Sequence, residues 1–402
     1  MPKRVRRGRG HAAALPLLAL LIGLHGSVSA LQAPGSQATA TGAGAPARVA
    51  APPDRDYLFF VASEGNDEVA LVRYGPAGAR VEREHRVGTN PTEPQGPHGL
   101  SVDRTGGFYY VSTAHGTPYG SLWKFSTQDD RQLGRVQLGR FPATAQVSPD
   151  GHYVWVVNFN LHGEMVPSSV SVVFGDEMVE VSRIETCVMP HGSRLSPDGL
   201  RHYSACMMDD MLVEVDARNL GVARHFMLRA GSEHGMAGKP GQMAMSADGA
   251  CSPTWAQPSA DGKTVWVACN KANDLVEIDV ASWTLKRRIR AGDGVYNLAV
   301  TRDGRLLVGT NKRGQSVSVF ETGSGKEIAR IQTARRNPSG LVVSPDDRYA
   351  FVTVEGVGAE PGTVEVIDLQ VMERVATAEL GQQAGGIDFW KVESPPAQAR
   401  AP

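Results

Sequence analysis

The sequence lacks any apolar run long enough to cross a membrane as a helix. Its longest run, Ala12–Leu24, has about 13 residues, whereas a spanning helix needs roughly 20. Basic residues precede this run, and the small residues of Val28-Ser29-Ala30 follow it. That order is typical of a secretory signal peptide. We therefore expect residues 1–30 to be a signal peptide, and the mature protein to be soluble, periplasmic or secreted, with no membrane span.

An excess of charge of either sign is also missing. The chain has 41 Lys and Arg against 42 Asp and Glu, and five of the basic residues lie in the predicted signal peptide. The mature chain therefore carries a net charge of about −6, which argues against a broad nucleic-acid or anionic-membrane surface. Residues 31–53 are rich in Ala, Pro, Gly, Ser and Thr. We expect them to be a disordered linker, residues 394–402 to be a disordered tail, and the protein to be a monomer.

Several motifs that are typical of catalytic or cofactor-binding sites are absent. The sequence contains no GxSxG, HExxH, CxxCH or complete P-loop. Apolar residues spaced as on a helix are almost absent from the mature chain as well. Fold class must therefore come from strand patterns, and function from where the fold places individual residues.

One turn sequence recurs along the chain. Copies of Ser-Pro-Asp-Gly or a close variant begin at Ser148, Ser196, Ser259, Thr301 and Ser344, and a degenerate copy begins at Asp103. Successive copies are 45, 48, 63, 42 and 43 residues apart. This spacing is typical of the four-stranded blades of a β-propeller.

Alternating apolar and polar residues predict four antiparallel strands in each unit. Six complete units begin near Pro97, Pro142, Pro190, Pro253, Val295 and Pro338. The segment from Tyr57 supplies the last three strands of a seventh unit, and GGIDFWKV near the carboxyl end supplies its first strand. We predict an all-β, seven-bladed β-propeller over residues 54–393, with a ring closed by the N- and C-terminal strands, which leaves no open edge.

The runs VWVVN, VWVACN and LLVGTN, together with the SPDG turns and the VSV or VEVID strands, resemble the YVTN-repeat propeller family. The resemblance covers roughly residues 56–393 and implies the seven-bladed fold. Propellers similar to it include surface proteins, lactonase-like enzymes and the nitrous-oxide-reductase-type propellers of copper- and haem-dependent periplasmic enzymes. The resemblance therefore implies the fold and leaves the function open.

Five histidines are predicted to share one face of the ring. In a propeller, the blade connectors and the loops between second and third strands open onto one face, and the SPDG turns lie on the other. His98 and His191 occupy equivalent positions in two Pro-His-Gly segments. His115 and His162 lie in loops between second and third strands, and His234 lies in a connector.

The interval of 63 residues indicates an inserted loop at about residues 231–252. Its sequence, AGSEHGMAGKPGQMAMSADGAC, contains His234, Met236, Met243 and Met245. Long insertions in compact repeats are often functional, although a plain lid or spacer explains the length equally well. We expect this loop to rise from the face that carries the histidines.

The four cysteines form two similarly spaced pairs. Cys187 and Cys206 are 19 residues apart, and Cys251 and Cys269 are 18 apart. Each pair brackets a turn between antiparallel strands, so its members should meet at one end of a blade. An even number of cysteines in an exported protein favours two disulfides. The alternative, thiolates that bind a metal, lacks the close CxxC spacing of such sites.

Three functions remain open at this stage, and whether the protein is an enzyme is undecided. The first is an exported binding protein whose connector face holds a small ligand, a partner protein or a transition metal, with copper favoured because it accepts imidazole and thioether ligands. The predicted metal ligands are His98, His191, His234, Met189 and Met236, with His115, His162 and Met207 as further candidates. The second is a lactonase-like or other hydrolase that uses a histidine or Asp209 as base. The third is a protein-interaction scaffold.

Overall fold

The computed structural model describes residues 50–89, 92, 94–103, 105–115, 118–240 and 251–394. The predicted signal peptide, residues 31–49 of the predicted linker, and residues 395–402 of the predicted tail lie outside the described residues, as do Met243 and Met245. Among the described residues, no helix is long and apolar enough to cross a membrane.

Seven antiparallel sheets form the blades of the ring. The first three strands are β1 (Asp56–Ser63), β2 (Glu68–Gly75) and β3 (Gly78–Arg86). Blade 1 contains β4 (Pro97–Val102), β5 (Phe108–Thr113), β6 (Ser121–Ser126) and β7 (Gln132–Gln137). Blade 2 contains β8 (Pro142–Val147), β9 (Tyr153–Asn158), β10 (Pro167–Phe174) and β11 (Val179–Val188). Blade 3 contains β12 (Pro190–Leu195), β13 (Arg201–Cys206), β14 (Met211–Asp216), β15 (Gly221–Met227) and β16 (His234–Ala237).

The other three complete blades follow the same plan. Blade 4 contains β17 (Pro253–Pro258), β18 (Thr264–Cys269), β19 (Asp274–Asp279) and β20 (Thr284–Arg290). Blade 5 contains β21 (Val295–Val300), β22 (Leu306–Asn311), β23 (Ser316–Glu321) and β24 (Glu327–Gln332). Blade 6 contains β25 (Pro338–Val343), β26 (Tyr349–Val354), β27 (Gly362–Asp368) and β28 (Glu373–Leu380). The last strand is β29 (Ala384–Glu393).

Both ends of the chain build the closing blade. Strand β29 pairs antiparallel with β1, so that Phe59 lies opposite Phe389, and the sheet order is β29-β1-β2-β3. The prediction of a seven-bladed, all-β ring closed by its terminal strands is confirmed. Residues 64–66, between β1 and β2, form a single 3₁₀ turn.

The hydrophobic core lies between neighbouring blades. Inner strands such as β22 and β26 are almost wholly buried, whereas outermost strands such as β24 alternate between half-buried and exposed residues. One interface stacks Phe60 of the closing blade on Tyr109 of blade 1, with ring centroids 4.3 Å apart. Inner strands are buried on both faces, so their sequences are continuous apolar runs. Outer strands have one exposed face, so apolar and polar residues alternate along them.

A left-handed residue precedes the first strand of every blade, which is the strand nearest the ring centre. These residues, with φ between 46° and 67°, are Gly96, Phe141, Met189, Ser252, Gly294, Asn337 and Gln383. Five of these seven residues are not glycine, and a non-glycine residue has a conformational cost in this region, so the recurrence is a built feature of the ring.

The repeated Pro-His-Gly segments have a steric basis. A β-carbon on Gly99 would lie 1.9 Å from the carbonyl oxygen of Ala143, and one on Gly192 would lie 2.2 Å from that of Thr254. Neighbouring central strands therefore approach so closely that only glycine fits after each histidine. This crossing fixes the position of His98 and His191 at the channel.

Both predicted disulfides are present. Cys187 is bonded to Cys206, and Cys251 is bonded to Cys269. Cys187 lies near the end of β11, so the first bond joins blade 2 to blade 3 rather than closing a single blade. The second bond fixes the end of the inserted segment to β18.

Candidate functional site

The central strands surround a channel with a cavity at each end. The cavity on the connector face offers about 60 Å³ for the centres of water molecules, which is room for several waters. The cavity on the SPDG face is wider, at about 700 Å³. Both are bordered by Arg194, so they meet near this side chain. Polar residues that border the upper cavity are Glu64, His98, Thr144, His191, Arg194, Tyr296, Asn297, Ser339 and Glu355.

A carboxylate from the closing blade joins two histidines of blade 1. Nδ1 of His98 lies 2.8 Å from Oε2 of Glu64, and Nε2 of His115 is hydrogen bonded to Oε1. Each carboxylate oxygen is therefore bound to a different imidazole. Because a carboxylate only accepts, Nδ1 of His98 carries the proton, and Nε2 of His98 has no protein hydrogen bond among the described residues.

The charge of this trio is set by burial and by its own hydrogen bonds. Burial alone would raise the pKa of Glu64, but its interaction with His98 and the hydrogen bonds from His115 and His98 outweigh burial and hold the pKa well below the usual range. The hydrogen bond to Glu64 raises the pKa of His115, although burial by itself would lower it. Glu64 is consequently ionised at neutral pH, and protonated His115 is favoured beside it.

His191 lies on the far side of the same cavity and is held neutral. Burial, reinforced by the neighbouring His98, lowers the pKa of His191 to about 3. Nδ1 donates to the carbonyl oxygen of Thr254 at 3.0 Å, which leaves Nε2 to accept from the Tyr296 hydroxyl at 3.1 Å. These two partners fix the tautomer and the orientation of the ring.

A partly buried ion pair lies behind Tyr296. Nζ of Lys312 is 2.7 Å from Oε1 of Glu355 and 4.4 Å from the ring centroid of Tyr296. Burial alone would lower the pKa of Lys312, but Tyr296 and Glu355 outweigh burial and raise it. Burial also raises the pKa of Tyr296, so its phenol stays protonated.

Four of the predicted histidines come together. The His98 and His191 rings are 6.1 Å apart, and the His115 and His162 rings are 5.6 Å apart. The ring of Phe141 lies among three of them, 5.0 Å from His115, 5.3 Å from His162 and 5.5 Å from His98. The alignment of equivalent loop positions thus grouped these residues correctly.

His234 and Met236 lie away from this group. Residues 234–237, within the predicted inserted loop, form β16, a fifth strand on the outer edge of blade 3. Four strand spacings separate β16 from β12, or roughly 19 Å. The expectation that this part of the insertion rises from the connector face was wrong, because the segment pairs with the exposed edge of β15.

The other proposed ligands and the proposed carboxylate base make structural contacts. Met189 is buried in an apolar cluster with Phe141 and Val188, and Met207 packs against the same cluster. Oδ2 of Asp209 accepts the backbone N–H of Val188 at 2.7 Å, and burial raises the pKa of this carboxyl. Asp209 does not border the upper cavity.

Metal binding stays a prediction. Within the part of the chain that the structure describes, no group of three or more His, Cys, Asp or Glu side chains is arranged to hold a metal ion. All four cysteines are in disulfides, so thiolate ligation is excluded for the oxidised protein. His98 and His115 each direct one ring nitrogen to Glu64.

Three charged residues of the site were not predicted from the sequence, although their position in the repeat would have indicated them. Glu64, Lys312 and Glu355 each come directly after the second strand of their blades, at the ends of β1, β22 and β26. The loops after these strands open onto the connector face, as do those of His115 and His162. Extending the histidine alignment to charged residues would have placed all three at the site.

Comparison with known proteins supports the fold. No family model and no curated protein matches the chain. Among solved structures, a periplasmic gluconolactonase (PpgL) of Pseudomonas aeruginosa is 19% identical, with a TM-score of 0.63 over 84% of this chain and 99% of that chain. A putative 6-phosphogluconolactonase of Bacteroides fragilis is 14% identical, with the same TM-score and the same coverage of both chains.

A structure of hydrazine synthase from Kuenenia stuttgartiensis is also similar. It is 22% identical, with a TM-score of 0.55, over 71% of this chain and 79% of that chain. At these identities the three similarities establish the propeller fold and no reaction. The YVTN-repeat resemblance itself stays a prediction.

Proposed function

We propose that this protein hydrolyses a lactone or a similar small cyclic ester in the upper cavity of its channel. The observation that carries the proposal is the Glu64–His98 pair, in which a partly buried carboxylate orients an imidazole whose second nitrogen has no protein partner among the described residues. Two of the similar folds have lactonase in their names, which supports the same reaction class.

The proposed reaction begins with a water molecule beside Nε2 of His98. Nε2 takes a proton from this water as its oxygen attacks the lactone carbonyl. Ionised Glu64 stabilises the resulting imidazolium through Nδ1, because the attraction between opposite charges is strong in a partly buried site. The same imidazolium then returns the proton to the ring oxygen as the C–O bond breaks, which yields a hydroxy acid.

The other residues of the cavity hold this geometry. His115 is hydrogen bonded to Oε1 of Glu64, so the carboxylate is held with its other oxygen toward His98. Tyr296 borders the cavity with a protonated hydroxyl that can turn from His191 toward the carbonyl oxygen. His191 is a poor general base at neutral pH, because burial lowers its pKa to about 3.

A lactone screen tests the proposal. Five- and six-membered lactones are offered to the purified protein, and acid release is followed with a pH indicator. We expect hydrolysis that falls roughly 100- to 10,000-fold in His98→Ala, the range for loss of a general base. His152→Ala is the control, because His152 is exposed on the opposite face. Absence of turnover, or equal turnover by His98→Ala, would refute the proposal.

Copper binding by the same histidines is a second proposal. The proximity of His98, His115, His162 and His191 supports it, since imidazole is a good copper ligand. Metal analysis of protein purified from its native compartment tests it directly. Protein that contains no copper, and takes up none when titrated with it, would eliminate this function.

Export is proposed on two grounds. All four cysteines are paired in two disulfides, and disulfides are typical of proteins from oxidising compartments. The signal-like amino-terminal sequence agrees with them. Fractionation of cells that express the full chain, followed by amino-terminal sequencing of the mature protein, tests both the location and the cleavage site.

A further inference from the structure

Arg194 is a cation at the meeting point of the two cavities. It is the fifth residue of β12, and its guanidinium carbon lies 4.4 Å from the ring centroid of Trp255 on the neighbouring blade. Nη1 donates to the carbonyl oxygen of Ser193 at 2.9 Å. Stacking on an indole leaves the edge of a guanidinium, with its N–H groups, available for a ligand.

The guanidinium of Arg194 is partly buried and, in the described part of the chain, lacks the close counter-charge that an enclosed cation normally has. Among the described residues, no carboxylate lies within ion-pair distance of Arg194, and Asp388 attracts it from beyond that distance. Burial lowers the pKa of Arg194 to about 10, so the side chain remains charged at neutral pH. Enclosing a charge without a close counter-charge costs free energy, and binding sites are where proteins accept that cost.

The remaining charges around the upper cavity are already matched. Glu64 is bound to His98 and His115, and Glu355 is paired with Lys312. Of the described residues that border the upper cavity, Arg194 is the one permanently charged cation. Apart from Nη1, its N–H groups have no hydrogen-bond partner among the described residues, yet none of them is a fully buried atom. They therefore face the channel, and a positive charge remains for a ligand to neutralise.

We propose that Arg194 binds a carboxylate of the substrate, so that the protein acts on lactones that carry a carboxylate group. The inference rests on the proposed lactone hydrolysis and adds its substrate class. A guanidinium stacked on an aromatic ring presents two N–H groups in one plane, which matches a planar carboxylate held by two parallel hydrogen bonds. His98 borders the same cavity, so an anchored ring would place its ester carbonyl toward the base.

A stable, non-hydrolysable probe separates binding from turnover. Tetrahydrofuran-2-carboxylate and its neutral carboxamide are titrated into the full chain by calorimetry. We expect the acid to bind roughly 10- to 100-fold more tightly than the amide, as charge-assisted hydrogen bonds allow. Arg194→Gln should abolish the preference. Arg131→Gln is the control and should retain it, because Arg131 is 70% exposed on a hairpin at the rim.

Arg194→Lys covers the case in which Arg194→Gln does not fold. It keeps the charge but loses the two-pronged geometry, so we expect a reduced preference for the acid, together with an unchanged circular dichroism spectrum. Equal binding of acid and amide by the wild type, or an undiminished preference in a folded Arg194 variant, would overturn the proposal. Tighter binding of inorganic phosphate than of the acid would overturn the assignment to a carboxylate. Because the probe is not hydrolysed, failure here is distinct from failure of the lactone screen.

Discussion

Glu64 of the closing blade accepts a hydrogen bond from His98 of blade 1, with 2.8 Å between Oε2 and Nδ1. The pair spans the junction at which the closing blade meets the first complete blade. Its geometry therefore depends on correct closure of the ring by β29. Glu64 thus belongs to a blade that both ends of the chain build, although neither residue is near the carboxyl end.

The Glu64–His115 ion pair predicts a pH window for stability. Because the pKa of Glu64 is lowered on folding, its contribution is complete above the ordinary value of about 4.3 and is lost as pH falls through the lowered value. Because the pKa of His115 is raised, its contribution is complete below about 6.5 and is lost as pH rises through the raised value. The free energy of unfolding of wild type minus that of Glu64→Gln should therefore be largest between roughly pH 4.5 and 6.5. Urea unfolding from pH 3 to 9 measures it, and a flat difference would contradict the ion pair.

His191 should not titrate in the ordinary range of histidine. With a pKa of about 3, its imidazole remains neutral from pH 8 to pH 5, with the proton on Nδ1. Nitrogen NMR of the histidine-labelled protein reports both the charge and the tautomer. A ring that protonates near pH 6.5, or carries its proton on Nε2, is incompatible with the Thr254 and Tyr296 contacts.

The glycine after His191 should be indispensable. In Gly192→Ala the added β-carbon would lie 2.2 Å from the Thr254 carbonyl oxygen, so the two central strands must separate. We expect a loss of about 1 to 3 kcal/mol in unfolding free energy, the usual cost of overpacking. Gly323→Ala is a matched control, because its β-carbon would meet no atom within 4 Å. Equal stability of the two variants would contradict the close crossing.

Removal of one disulfide should lower the free energy of unfolding but leave the propeller folded. The Cys187–Cys206 bond closes a segment of 19 residues, for which constraint of the unfolded chain contributes about 3 kcal/mol. We expect the Cys187→Ala, Cys206→Ala double variant to lose about that amount in denaturant unfolding. The Cys251–Cys269 pair, with a separation of 18, should contribute a similar amount. No loss in either double variant would show that the bonds do not constrain the chain.

Local pattern determined most of the fold in advance. The recurring turn and the period-two strands located all six complete blades, whose first strands begin at the predicted residues, because each blade repeats the same short-range signals. The spacing of the cysteines predicted both disulfides, because each pair lies at similar positions relative to the repeated strands. Met189 shows the limit of such signals: it has the left-handed backbone found before every central strand, and methionine is not a residue type that indicates this conformation in a sequence.

The chemistry of the site was less predictable from the sequence. His98 and His191 were found because they repeat, whereas Glu64 reaches His98 from another blade and at a different repeat position. The residues equivalent to Arg194 in the other six blades are Ser101, Gln146, Gln257, Ala299, Val342 and Asp388, so no repetition marks it. Its significance depends on the absence, among the described residues, of a carboxylate within ion-pair distance, which is a property of three-dimensional packing.

The most direct measurement is the rate of lactone hydrolysis by wild type and by Glu64→Gln at pH 7. The substitution preserves the size of the side chain but removes the charge that stabilises protonated His98. We expect kcat to fall at least about 100-fold, with KM little changed, because the charge acts in the transition state. His152→Ala should hydrolyse the same lactone at the wild-type rate. A Glu64→Gln enzyme as fast as the wild type would contradict the proposed role of the Glu64–His98 pair.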